Sequence, residues 1–267
     1  MKKTFVNSLP KSGTNLLAEC LQLFGYKDAG HIGSGYVLSS TPVAKLRRLL
    51  LHPIRQGYIV GIDTPVELPR WAVERFIGQV KNDYFITAHV GYTSDLLQHA
   101  LTLGFSPIVI TRDPRAVLAS FVPYVVGKNR HPLNRAFNKL TLEDRYMSTL
   151  EGMNDGEHML QPLRVRCNAL DPWINSEHVL SIKFEDLVGS KGGGSDNLQM
   201  DTLHRICKWI DAPESKIQSV ADELFGPGDR YTFRKGKIDS WKNEIPPSVM
   251  NKLESSIGDI LTKWNYI

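Results

Sequence analysis

A lysine and a few small polar or flexible residues separate two apolar patterns near the N-terminus, in the segment LPKSGTNLL. Lys11 supplies a full positive charge. Ser12 and Thr14 supply hydroxyl donors, and Gly13 lets the backbone approach a ligand closely. The preceding KTFVNSL favours a strand, and apolar residues recur at helical spacing over 16–24. The first N–H groups of a helix lack intrahelical acceptors, so this segment can bind an anion such as phosphate, although an ordinary capped helix with an exposed lysine fits the same residues.

Two further basic segments could hold another phosphate. TRDPRAVLAS follows the apolar run IVI, which is typical of a strand buried on both faces, and FRKGKIDSWK lies near the C-terminus. The planar guanidinium groups of Arg112 and Arg234 can each bind a phosphate through two parallel hydrogen bonds. Ser120, one or two helical turns beyond the strand end, can reach the same pocket. Taken singly, these segments also fit a salt-bridged surface turn and a solvated basic loop.

Strands that alternate with helices must position these segments. YFITAHV, SPIVIT and HVLSIKFEDL are predicted strands, and SDLLQHALTL, PRAVLASFVPYVV and DNLQMDTLHRICKWI are predicted helices. This alternation predicts an α/β fold with a central, mainly parallel sheet flanked by helices. Residues 27–70 contain many glycines and prolines around a short basic helix near AKLRRLL. We expect a single domain over 1–267, with 27–70 as an irregular insertion that shapes a binding site.

Composition narrows the class of protein. The 267 residues are 42% hydrophobic and 22% charged, which suits a sizeable buried core. No apolar run approaches the ~20 residues of a membrane span and no signal peptide is evident, so we expect a cytoplasmic protein without a membrane span. The formal charge of +4 suits an anionic ligand without indicating nucleic acid. Cys20, Cys167 and Cys207 lack metal-ligand spacing, so we expect buried free thiols and no metal site.

In their order along the chain, the three basic segments resemble those of sulfotransferases that use 3′-phosphoadenosine 5′-phosphosulfate (PAPS). An ATPase-type loop, GxxxxGK[ST], matches less well because Lys11 precedes the only glycine. The resemblance implies that LPKSGTNLL binds the 5′-phosphosulfate and that TRDPRAVLAS and FRKGKIDSWK bind the 3′-phosphate. The residues that these segments contribute to PAPS binding are then Lys11, Ser12, Gly13, Thr14, Asn15, Arg112, Ser120, Arg234, Lys235 and Gly236.

Two more segments resemble the same family. TAHVGY resembles the segment with the catalytic histidine, which implies His89 as the general base. Some family members use a carboxylate, which keeps Glu67 as an alternative, and a structural histidine at a strand end is another. KFEDL resembles the strand whose aromatic residue borders the adenine, so Phe184 either contacts the cofactor or belongs to the core. The cytosolic small-molecule branch often has tryptophan and lysine where this chain has Leu16 and Thr87.

The resemblance implies an enzyme that transfers a sulfuryl group from PAPS to a hydroxyl, or as second choice an amine, of a small-molecule or carbohydrate acceptor. His89 would take the acceptor proton during in-line attack. Lys11 would stabilise charge on the departing adenosine 3′,5′-bisphosphate (PAP). The acceptor pocket is expected from residues 27–70 and 121–175.

Two other functions fit parts of the same pattern. In a nucleotide-dependent kinase or related phosphoryl transferase, Asp113 would bind magnesium at the end of its strand. In a non-catalytic module that binds PAP, the phosphate residues would be present without a base. The sequence leaves the identity of the acceptor and the oligomeric state open.

Overall fold

A parallel sheet of five strands forms the centre of the molecule. The computed structural model describes residues 1–38, 41–51, 57–154, 156, 159–224 and 237–267. Within these ranges the strands are β1 Lys3–Ser8, β2 Lys27–Ile32, β3 Gly57–Val60, β4 Val66–Pro69, β5 Tyr84–Ala88, β6 Phe105–Thr111, β7 Met153–Asn154, β8 Met159–Leu160 and β9 Leu180–Lys183. The central sheet has the order β2-β5-β1-β6-β9, and two small antiparallel sheets pair β3 with β4 and β7 with β8.

Helices connect the strands and cover the sheet. They are α1 Thr14–Phe24, α2 Gly35–Leu38, α3 Pro42–Leu51, α4 Arg70–Gly78, α5 Ser94–Thr102, α6 Pro114–Gly127, α7 Asn134–Phe137, α8 Leu142–Glu151, α9 Leu163–Ile174, α10 Phe184–Leu187, α11 Asp196–Ile210, α12 Ile217–Glu223 and α13 Pro247–Lys263. Short 3₁₀ turns occur at Ser190–Gly192, Glu214–Lys216 and Ile238–Asn243. Among the described residues, none of these helices has both the length and the apolar character needed to span a bilayer.

Alternate residues of the central strands pack into two separate cores. Phe5 of β1 belongs to one core with Val109 of β6, whereas Val6 belongs to the other with Ile108 and Ile110. Helices α4, α5, α6, α8, α9 and α13 contribute to the first core, and α1, α11 and α12 contribute to the second. Because successive strand residues point to opposite faces, helices cover both faces of the sheet. The predicted α/β fold is confirmed, and the three cysteines are buried and free as expected.

Two local predictions were wrong. Residues 27–70 were expected to be irregular, but β2 is an edge strand of the central sheet, β3 and β4 form a hairpin, and α3 is the expected basic helix. Strand β2 has the sequence KDAGHI and is largely exposed, so it lacks the apolar alternation that marks a strand. The strand predicted in HVLSIKFEDL ends at Lys183, and FEDL begins the short helix α10.

The Asn7 side chain ties β1 to the chain that leaves β5. Its Nδ2 donates to the Val90 carbonyl at 2.9 Å, and the Val90 N–H donates to its Oδ1 at 3.0 Å. Asn7 is buried and pairs with Ala88 in the β1–β5 register. One buried amide therefore satisfies both backbone groups of Val90, where the parallel pairing has ended.

Replacing Asn7 with alanine is expected to lower the free energy of unfolding by about 2–4 kcal/mol, because the N–H and C=O of Val90 lose their partners in a buried setting. Urea denaturation of wild type, Asn7→Ala and Asn82→Ala measures this effect. Asn82 is a matched control because it lies exposed in the turn before β5. Equal stability of the two variants would show that the amide bridge contributes nothing.

Candidate active site

The loop between β1 and α1 turns sharply around two residues in the left-handed region. Lys11 has φ 74° and Gly13 has φ 100°, and the Ser12 N–H donates to the Leu9 carbonyl at 3.1 Å. A Cβ added to Gly13 would lie 2.6 Å from Cδ2 of Phe184, so the position requires glycine for its conformation and for its packing. The turn places the start of α1 beside the end of β1.

The N-terminus of α1 offers backbone donors to a ligand. Within the described residues, no side chain caps this end, and its first turn carries no acidic residue. By contrast, side chains cap α5, α6, α8 and α11, namely those of Thr93, Asp113, Thr141 and Ser195. The first intrahelical bond of α1 runs from Leu17 to Gly13, so the N–H groups of 14–16 precede it. This helix end, with Lys11 beside it, suits an anion.

The hydroxyl groups of the loop support the same interpretation. Ser12 is fully buried, and its Oγ has no hydrogen-bond partner in the described part of the chain. A buried hydroxyl without a partner costs free energy, which a phosphate oxygen bound at this loop would offset. Thr14 and Ser8 share a hydrogen bond of 2.6 Å between their hydroxyls. The residues of this loop therefore suit an oxyanion such as a phosphate group.

Arg112, directly after β6, joins this loop to the C-terminal part of the chain. Its guanidinium donates to the Lys11 carbonyl and to the Lys237 carbonyl, each at 3.3 Å, and lies 4.2 Å from the ring centre of Phe184. The predicted residues Arg234, Lys235 and Gly236 lie outside the described residues. Lys237 follows them directly in the sequence, and its own carbonyl lies at Arg112 and thus near the loop.

Asp113 and Glu185 hold the start of α6. The Asp113 carboxylate accepts from the Arg115 side chain at 2.7 Å and caps α6 by accepting from the Arg115 N–H. Glu185 accepts from the Asp113 N–H at 3.0 Å and from the Tyr266 hydroxyl at 3.1 Å, and burial raises its pKa. The Asp113 carboxylate is thus engaged in structural bonds, which disfavours the magnesium role of the kinase alternative.

His89 immediately follows β5 and is held in one tautomer. Its Nδ1 lies 2.9 Å from the Ser8 carbonyl, which can only accept, so Nδ1 carries the proton and Nε2 carries a lone pair. Burial is the main cause that lowers the pKa of His89 to about 4. The hydrogen bond to Ser8 raises this pKa, and the positive charge of Lys11 lowers it further. The imidazole is therefore neutral at pH 7, and Nε2 can accept a proton.

A second imidazole contacts the first. The His31 ring packs edge-on against His89 with 4.8 Å between ring centres, and its Nδ1 lies 2.9 Å from the Thr87 hydroxyl. Desolvation and the neighbouring His89 lower the pKa of His31 to about 3. Sequence reasoning missed this contact, because β2, which carries His31, was not recognised as a strand. Thr87, the hydrogen-bond partner of His31, stands where one branch of the family that the sequence resembles often has a lysine.

Polar groups from several elements lie beyond the two histidines. Burial lowers the pKa of His31, His131 and Arg166, and the Asp63 carboxylate, in a residue only 6% exposed, partly opposes this lowering. Asp63 follows Ile62, whose N–H donates to the His89 carbonyl at 3.0 Å. No described group donates a hydrogen bond to this carboxylate. Sequence reasoning missed Asp63 because its position depends on contacts between distant segments.

An aromatic contact links these polar groups to the loop between β1 and α1. The Tyr124 ring lies 4.3 Å from the Lys11 ammonium and packs edge-on against His131, with 5.5 Å between ring centres. Tyr124 belongs to α6, in the region expected to shape an acceptor pocket. Lys11 therefore has Tyr124 on one side and is close enough to His89 to lower its pKa. The base candidate and the anion site meet at Lys11.

The remaining predicted site residues have different environments. Asn15 is exposed in the first turn of α1, and Ser120 is half-buried in the second turn of α6. Phe184 is buried between Gly13 and Arg112, so it supports both, and its adenine contact stays a prediction. Glu67, the alternative base, accepts a bond from the Gly57 N–H at 2.6 Å within the β3–β4 hairpin.

Comparisons with known proteins identify the fold. No family model matches the chain, and no curated protein sequence matches it. Among solved structures, mouse sulfotransferase SULT7A1 complexed with PAP matches at TM-score 0.56 and 17% identity, covering 97% of this chain and 84% of that one. Retinol dehydratase in complex with retinol and PAP matches at TM-score 0.59 and 16% identity, covering 97% and 81%. The complex of retinol dehydratase with androsterone and PAP matches at TM-score 0.57 and 15% identity, covering 97% and 80%. The chain has the fold of these proteins.

Replacing Gly13 with alanine is expected to lower the free energy of unfolding by about 1–3 kcal/mol, since alanine is strained at this φ. The added methyl also meets Phe184, which cannot retreat because Arg112 lies against its ring. Chemical denaturation measures the loss. The control is Gly78→Ala at the end of α4, where a Cβ meets nothing within 4 Å. Equal stability of the two variants would contradict the proposed requirement for glycine.

Proposed function

We propose that this chain is a PAPS-dependent sulfotransferase that transfers a sulfuryl group to an acceptor hydroxyl. One observation carries the proposal: an oriented, neutral His89 and a helix terminus without a side-chain cap share Ser8 and Lys11. Ser8 ends β1 and binds His89 through its carbonyl, and Lys11 stands in the loop that follows. The fold shared with PAP-bound sulfotransferase structures supports the same assignment.

The donor would be held by the loop and by the end of β6. Lys11, Ser12 and the N–H groups at the start of α1 suit the 5′-phosphosulfate, and Arg112 suits the 3′-phosphate. Ser120, Arg234, Lys235 and Gly236 are proposed for the same phosphate on the family resemblance. PAPS supplies a sulfuryl group attached to a phosphate leaving group. Lys11 would stabilise the negative charge that develops on that phosphate.

His89 would act as the general base. Its Nε2 lone pair can take the proton of an acceptor hydroxyl, while the Ser8 carbonyl holds Nδ1–H and stabilises the imidazolium that results. A pKa of about 4 keeps this nitrogen unprotonated at neutral pH. Glu67 is less suited to the role because its carboxylate binds the backbone of its own hairpin.

The acceptor is proposed to be a small molecule or carbohydrate with a reactive hydroxyl, and an amine is the second choice. Asp63, His31 and His131 supply groups that can bind further polar atoms of such a molecule, and Tyr124 supplies an aromatic face. Two structural neighbours contain retinol and androsterone. A screen should therefore include apolar alcohols beside monosaccharides. The expected location in the cytoplasm stays a prediction.

Calorimetric titration with PAP tests the donor site. Arg112→Ala is expected to weaken PAP binding about 10- to 100-fold, because a charge-assisted contact to phosphate is lost. Arg135→Ala, exposed on α7, should bind like wild type. Competition with ATP and magnesium should leave PAP bound. Displacement of PAP by ATP and magnesium, or unchanged binding by Arg112→Ala, would contradict the assignment and favour the kinase alternative.

Sulfation of the acceptor panel with labelled PAPS tests the base. His89→Gln is expected to lower kcat/KM about 10²- to 10⁴-fold while PAP affinity is kept, since the glutamine cannot take the proton. His204→Gln, exposed on α11, is the matched control.

Because only neutral His89 acts as a base, wild-type kcat/KM should fall with decreasing pH only as pH approaches about 4, well below the ordinary histidine value of 6.5. Full activity of His89→Gln would exclude His89 as the base, and PAP binding without sulfation of any acceptor would favour the non-catalytic module.

A further inference from the structure

Helix α3 turns an apolar face to solvent. Val43 is 57% exposed, Leu46 56%, Leu49 79% and Leu50 65%, whereas only Ala44 and Leu51 of its ten residues are buried. Residues three and four apart are neighbours on a helix, so the four exposed side chains form one continuous stripe opposite the buried residues. Exposed apolar residues are ordinary when scattered, but four on one short helix mark a surface that is covered by something else.

Positive charge borders this stripe on both sides. Lys45 and Arg47 lie at the two edges of the apolar stripe when the sequence is placed on a helical wheel, and Arg48 adds a third cation to the helix. The surrounding sequence, residues 29–62, contains four Lys and Arg and no Asp or Glu. Its formal charge of +4 equals that of the whole chain, so the rest of the molecule is balanced.

This combination favours one kind of partner. A second copy of the chain would bring like charges together around the apolar stripe, which is unfavourable. An anionic lipid surface complements both features, because acyl chains receive the apolar side chains and headgroups receive the flanking cations. The long stems of lysine and arginine at the edges of such a stripe reach headgroups while covering apolar surface.

We propose that α3 binds in the plane of an anionic lipid bilayer, with Val43, Leu46, Leu49 and Leu50 among the acyl chains. The helix lies on the surface of the bilayer and does not cross it. The attraction combines burial of the apolar side chains with electrostatic attraction between the lysine and arginine side chains and the anionic headgroups. The inference depends on α3 alone and is independent of the proposed sulfotransferase activity.

Co-sedimentation with vesicles tests the proposal. The full chain is mixed with vesicles of phosphatidylcholine alone, or of phosphatidylcholine and phosphatidylglycerol in equal parts. Wild type is expected to bind the mixed vesicles at least about 10-fold more tightly than the neutral ones, and more weakly as salt is added. The variant Leu46→Ser/Leu50→Ser should lose at least about 10-fold in binding to the mixed vesicles.

The matched control is Leu142→Ser/Val165→Ser, which changes two exposed apolar residues on α8 and α9. It should bind like wild type, and all three proteins should unfold at similar urea concentrations because the changed side chains are exposed. Failure of wild type to bind mixed vesicles, or equal binding by the α3 variant, would overturn the proposal. A wild-type dimer in light scattering that the α3 variant loses would instead assign the stripe to contact between two copies.

Discussion

The pairing of β1 with β5 decides where the histidine of the site stands. Asn7 pairs with Ala88 in this register, so the chain that leaves β5 passes directly beside the end of β1. The Asn7 amide then binds Val90. His89, which stands between Ala88 and Val90, binds the Ser8 carbonyl. A shift of one residue would turn Asn7 away from Val90 and remove the Ser8 carbonyl from the imidazole. The orientation of His89 therefore depends on the strand register.

The ends of β1 and β6 also determine the electrostatics of the site. Lys11 and Arg112 bring positive charge to a partly buried place, and carbonyl oxygens of Lys11 and Lys237 orient the Arg112 guanidinium. Arg115, three residues further on, is instead paired with the carboxylate of Asp113 and serves the start of α6. Among the described contacts, Arg112 therefore binds backbone carbonyls beside the loop, and Arg115 binds a carboxylate at the start of α6.

Local patterns predicted much of this arrangement. The strand, loop and helix around Lys11, the buried run of β6 before Arg112, and the strand before His89 are each encoded by a few consecutive residues. The edge strand β2 was missed because a half-exposed strand needs no apolar alternation. The role of Asp63 was also missed. Asp63 acts on His31 and Arg166, so it depends on contacts between distant segments that no sequence spacing reveals.

Arg166 shows how the buried polar groups depend on one another. It is 1% exposed, donates to the Thr149 carbonyl and lies 5.4 Å from the ring centre of Phe121, while burial lowers its pKa. A buried guanidinium is costly unless a negative charge lies near it, and Asp63 supplies one without forming an ion pair in the described residues. Asp63 therefore stabilises Arg166 through space while its own oxygens stay available for other donors. The carboxylate that balances this buried cation also acts on His31, whose ring contacts His89, so the stability of the core and the polarity of the neighbouring site depend on the same residue.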